Sequence, residues 1–122
     1  MAVVRYLVND ADTAATFYTK HLGFTLVRRW GSAFSMIKKD DLELWLSGPD
    51  TSAAKAMPDG RKPEPGGWNR IVLQVGDLPS LVAGMKEADV HFRNEIVTGP
   101  GGKQILVEDS AGNPIELFEP AG

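Results

Sequence analysis

Few side chains in this chain are reactive, and their spacing matches none of the common catalytic sets. Cysteine is absent. That removes a thiol nucleophile, a thiolate metal site and a disulfide framework together. His21 follows Lys20 in the last turn of an expected helix, where a cation favours the helix dipole. His91 alternates with Val90 and Phe92 at the start of an expected strand. Surface or hydrogen-bonded roles suit both histidines better than metal ligation. No Ser-His-Asp arrangement stands out. Gly99-Pro-Gly-Gly-Lys103 lacks the spacing and the Ser/Thr of a phosphate-binding loop and reads as a turn.

Charge narrows the partners. Thirteen Lys and Arg against sixteen Asp and Glu give a formal net charge of −3. The basic pairs Arg28–Arg29 and Lys38–Lys39 stand apart, so nucleic acid is not an expected partner. No apolar run reaches the roughly 18–20 residues that cross a bilayer, and no membrane role is expected. Met-Ala-Val-Val-Arg carries no basic stretch followed by a signal core, which together with the absent cysteine fits the cytoplasm.

The elements that would position a site come from a repeat. At 122 residues, 43% hydrophobic and 24% charged, the chain suits one globular domain with a continuous core. Residues 3–10 and 70–77 are both β-branched, apolar-rich runs that end in Asp and then switch to helical periodicity. Ala11, Ala15, Tyr18 and Leu22 form one apolar stripe; Leu78, Leu81, Val82 and Met85 form the other. Asn9, Asp10 or Asp12 can cap the first helix and Gly23 can end it. Asp77 caps the second, with Pro79 in its first turn, whereas Asp89 is a weaker stop than glycine. Strands are expected at 24–30, 33–37 and 42–46 and again at 90–97, 104–107 and 115–118, separated by Gly- and Pro-bearing turns. Each module reads β-α-β-β-β, about 1–47 and 68–122. The Pro- and Gly-rich stretch 48–67 links them as a long mobile loop.

Two such modules resemble the glyoxalase, bleomycin-resistance and extradiol-dioxygenase superfamily, also called the vicinal oxygen chelate superfamily. Two phrases carry the likeness: Asp-Ala-Asp-Thr-Ala-Ala-Thr-Phe-Tyr-Thr-Lys-His-Leu-Gly at 10–23, and the closing Asp-Ser-Ala-Gly-Asn-Pro-Ile-Glu-Leu-Phe-Glu-Pro at 109–120. The resemblance implies an α+β fold in which tandem βαβββ modules form a cupped mixed sheet around one cavity, usually as a homodimer. Enzymes of the family hold a divalent metal at positions that fall here on Val3, Glu43, Arg70 and Glu116. Valine has no donor atom and arginine is a permanent cation, so at most two ligands survive where three are commonly needed. No metal and no cofactor are expected.

Strand alternation then groups the cavity side chains. Glu43 and Trp45 share a face, as do Arg5 with Val3 and Leu7, Arg70 with Val72 and Gln74, and Glu116 with Phe118. Phe34 and Met36 also share one, although nothing local says which. Trp68 lies at the linker's end and Trp30 at a hairpin end. The expected ligand-binding set is therefore Arg5, Phe34, Met36, Glu43, Trp45, Trp68, Arg70, Glu116 and Phe118, with no catalytic residue. An apolar, aromatic cup with a few charges suits a planar organic ligand. This is similar to the metal-free, antibiotic-sequestering branch of the family, so the expected function is capture of an aromatic natural product without conversion. Two alternatives stand: a glyoxalase-like or dioxygenase-like metal enzyme, and a metal-free isomerase using Glu43 or Glu116 as base.

Overall fold

The computed structural model of the protein describes residues 1–122 and contains the same element order twice. The first set is β1 (Val4–Leu7), α1 (Ala11–His21), β2 (Thr25–Trp30), β3 (Phe34–Lys39) and β4 (Leu42–Ser47). The second is β5 (Ile71–Gln74), α2 (Leu78–Glu87), β6 (Val97–Gly99), β7 (Gly102–Glu108) and β8 (Pro114–Pro120). Each set makes a four-stranded mixed sheet, in the orders β1-β4-β3-β2 and β5-β8-β7-β6. The parallel pairs are β1 with β4 and β5 with β8; the rest are antiparallel. The fold is α+β, as the repeat implies. By contacts the chain divides into two compact units, 1–66 with 110–113, and 67–109 with 114–122.

Both helices start on an aspartate. Asp10 accepts from the Thr13 N–H at 3.0 Å, and Asp77 from the Ser80 N–H at 3.2 Å and the Ser80 hydroxyl at 2.9 Å. These bonds satisfy donors that have no partner within the helix. The helix ends differ. Gly23 takes a φ of +74° after α1, while Asp89 holds +61° after α2 without being glycine, a conformation that Asp tolerates better than most residues.

In the first unit α1 covers one face of its sheet. Ala11, Ala14 and Tyr18 are fully buried, as are Ile37, Leu44 and Leu46 from β3 and β4. Tyr18 meets Phe24 edge-on, ring centres 5.3 Å apart. In the second unit Leu78, Val82 and Met85 of α2 are buried, as are Ile105, Val107, Ile115 and Leu117. Burying each large aliphatic side chain contributes about 1.5–3 kcal/mol. No helix is long and apolar enough to cross a membrane.

Two expectations change. Residues 90–96 do not form a strand, and β6 begins only at Val97. Phe92 makes one isolated bridge to Val107, with His91 C=O and Arg93 N–H bonded to β7. The ladder then breaks because the Asn94 side chain, not a backbone carbonyl, accepts from the Leu106 N–H at 2.9 Å. The linker carries structure of its own: a 3-10 turn over Ser52–Ala54 and a tight turn in which the Met57 N–H donates to the Arg61 carbonyl.

Candidate functional site

In the first unit, alternation puts Glu43, Trp45 and Ser47 of β4 on the sheet face turned away from α1. Register places Met36 opposite Trp45 and Phe34 opposite Ser47, so both lie on Trp45's face. The edge strand β2 joins this face through a bulge. Leu26 pairs with Ile37, but Arg28 pairs with Met36, leaving Val27 as the extra residue. Without that slip Arg28 and Trp30 would point to the α1 side. With it, Arg29 turns toward α1 and pairs with Asp12 at 3.1 Å, while Arg28 and Trp30 join the aromatic face.

The result is a run of rings. Trp30 and Phe34 centres are 5.3 Å apart and Phe34 and Trp45 centres 5.9 Å, the second pair edge-on. A guanidinium stands at each end: Arg28 is 5.6 Å from the Trp30 ring centre and Arg5 5.2 Å from that of Trp45. The Trp45 indole N–H donates to Glu43 at 2.7 Å, and Arg5 Nη1 donates to Ser47 Oγ at 2.8 Å. These bonds fix the ring and the cation in place.

The second unit assembles its charges differently. Arg70 Nη2 donates to Glu116 Oε1 at 2.9 Å, with Arg70 29% and Glu116 12% exposed at the side chain. Arg70 Nη1 donates to the Trp68 carbonyl at 3.3 Å. Trp68 is 68% exposed, and Arg93 lies 4.6 Å from its ring centre. Arg93 in turn donates to Glu108 at 2.6 Å and to the Gly67 carbonyl at 2.6 Å. Gly67, Trp68, His91, Phe92, Arg93 and Glu108 line an open groove of about 530 Å³. Phe118, half-buried, sits between Gln74 and Gln104 in the sheet register.

Of the expected binding residues, Arg5, Phe34, Met36, Glu43 and Trp45 thus share one sheet face in the first unit. Arg70, Glu116 and Trp68 join one network in the second. Arg28, Trp30 and Arg93 were outside the expected set. Trp30's aromatic type and hairpin position were its only signal, and Arg93 had none.

A model of the glyoxalase/bleomycin resistance protein/dioxygenase superfamily matches residues 1–117. The chain belongs to that superfamily. No curated protein sequence matches it. Among solved structures it is similar to a lactoylglutathione lyase from Agrobacterium tumefaciens, 19% identical, covering 97% of this chain and 92% of that one, with a TM-score of 0.72. It is also similar to TnmS3, an antibiotic binding protein from Streptomyces sp. CB03234, 24% identical over 99% and 97% of the two chains, TM-score 0.68. A superfamily member from Sphaerobacter thermophilus is 23% identical over 98% and 97%, TM-score 0.71. At these identities the likeness establishes the fold alone.

The four positions that the resemblance assigns to metal ligands carry a donor set that does not fit an ion. In the first unit Val3 offers no lone pair, and Glu43 accepts from the Trp45 indole. In the second, Arg70 occupies the position of a base and Glu116 is its ion-pair partner. No three His, Asp or Glu side chains converge to hold a cation.

Proposed function

We propose that this protein binds a planar aromatic small molecule, such as a natural-product antibiotic, and releases it unchanged. The observation that carries the reading is the Trp30–Phe34–Trp45 run with an arginine at each end, on the sheet face away from α1. Stacked rings and guanidinium planes offer an aromatic ligand broad dispersion and quadrupole contacts. The donor set supports capture rather than metal-assisted chemistry, since a guanidinium and an aliphatic group stand at two of the four ligand positions. The shared fold of the antibiotic binding protein TnmS3 supports the same direction.

In this reading the first unit binds through Arg5, Phe34, Met36, Glu43 and Trp45, and Trp68, Arg70, Glu116 and Phe118 are the binding residues of the second unit's own face. The working form is a cytoplasmic homodimer, and its effect in the cell is resistance by sequestration. All three tryptophans of the chain belong to these two faces, so intrinsic fluorescence is a direct readout. Titration with a panel of aromatic antibiotics is expected to quench it at micromolar or lower concentration, with the ligand recovered unchanged by mass spectrometry. No quenching by any member, together with no protection of cells expressing the protein, would overturn the proposal. So would one tightly held transition metal per subunit after purification.

A further inference from the structure

The two units treat arginine in opposite ways. Arg70 and Arg93 of the second unit are each neutralised, by Glu116 at 2.9 Å and Glu108 at 2.6 Å. Arg5 and Arg28 of the first unit meet no carboxylate: the Lys and Arg side chains that pair with one are Arg29, Arg61, Arg70, Lys86, Arg93 and Lys103. Arg5 is nevertheless held in one orientation. Its Nη1 donates to the hydroxyl of Ser47, a fully buried residue, and its guanidinium lies against Trp45. A guanidinium carries five N–H donors in a planar fork. One is used, and the fork is otherwise open beside the aromatic run. A fixed, uncompensated fork next to stacked rings is the arrangement that recognises an acid on an aromatic scaffold, because little orientation entropy is lost on binding.

We infer that the ligand is an anionic planar aromatic, with Arg5 receiving its carboxylate and the Trp45–Phe34–Trp30 run supporting its rings. The inference rests on the proposed aromatic-binding function and adds the charge of the ligand to it.

The test is a calorimetric titration of the full-length protein with anthraquinone-2-carboxylate and with its uncharged carboxamide. The acid is expected to bind about tenfold more tightly, the worth of one charge-assisted contact, and to lose that advantage in high salt. Arg5→Gln is expected to abolish the preference, so that acid and carboxamide bind this variant with equal affinity. Arg5→Lys retains part of it, since the charge stays and the fork is lost. Arg61→Gln removes one positive charge from the linker, where Arg61 pairs with Asp59, and keeps the full preference. Equal affinity for acid and carboxamide would overturn the anion inference and leave aromatic binding standing. Binding of neither compound would overturn both. A preference that survives Arg5→Gln in a folded variant would overturn the assignment to Arg5.

Discussion

The two units are built from the same element order, yet the sheet face away from the helix is equipped differently in each. In the first, three aromatic rings run between two arginines that have no carboxylate. In the second, the arginines are tied to Glu116 and Glu108, and one of them lies over the exposed Trp68. The helix-facing sides are alike, with full burial of aliphatic residues in both. The repeated scaffold is therefore alike on the side that makes the fold and differs on the other, since close packing constrains the core and not the opposite face.

That contrast can be tested from its strongest feature to its weakest. Leu46 and Leu117 are both fully buried at equivalent places in β4 and β8, opposite Tyr6 and Leu73 of the parallel strands. Replacing either by alanine is expected to cost about 2–5 kcal/mol in urea unfolding. A cost below about 1 kcal/mol at either position would break the equivalence of the two cores.

The carboxylates should separate next. Glu116→Gln leaves the part-buried Arg70 side chain without its counter-charge and is expected to cost about 1–2 kcal/mol, discounted for the exposed part of the pair. Glu43→Gln keeps an oxygen acceptor for the Trp45 indole and should change stability by less than about 0.5 kcal/mol. Similar losses in the two variants would mean that Glu43 has a charged role the geometry does not give it.

The pH response should also differ between units. Partial burial, and then Lys20, hold the His21 pKa below its usual 6.5, so the folded state favours neutral imidazole. Its contribution is complete above about 6.5 and is lost as pH falls from there toward the lower folded value. Asp77 is held below its usual 3.8, chiefly by the Ser80 N–H and then by the Ser80 hydroxyl. Its contribution is complete above about 3.8 and is lost as pH falls through the folded value. Thermal melts across acid pH should therefore lose a mildly acidic slope in His21→Gln and only a strongly acidic one in Asp77→Asn. If His21→Gln left the mildly acidic slope intact, His21 would not be its source.

The smallest effect concerns Ser35, whose hydroxyl is buried on the α1 side of β3 with no hydrogen-bond partner. Ser35→Ala should leave stability unchanged or raise it by up to about 1 kcal/mol. A clear loss would show that the hydroxyl has a partner.

Much of the fold was legible along the chain because its signals are local. Asp10 and Asp77 cap helices through bonds to residues three positions on, and apolar stripes mark the buried faces. The break after Phe92 was not legible, because it depends on Asn94 reaching Leu106, a contact that no local pattern encodes. Within the candidate site, alternation correctly grouped Glu43 with Trp45, both belonging to one regular strand. It could not group Trp30 and Arg28 with them, since no glycine or proline announces the bulge at Val27.

The sequence by itself determined the repeat, the helix boundaries and the scarcity of metal donors, because each follows from residue type and short-range spacing. Tertiary structure alone decided which face Phe34 and Met36 occupy, which arginines acquire carboxylates, and that Trp30 completes a run of three rings. Those outcomes depend on register, and one inserted residue in an edge strand sends every side chain beyond it to the opposite face.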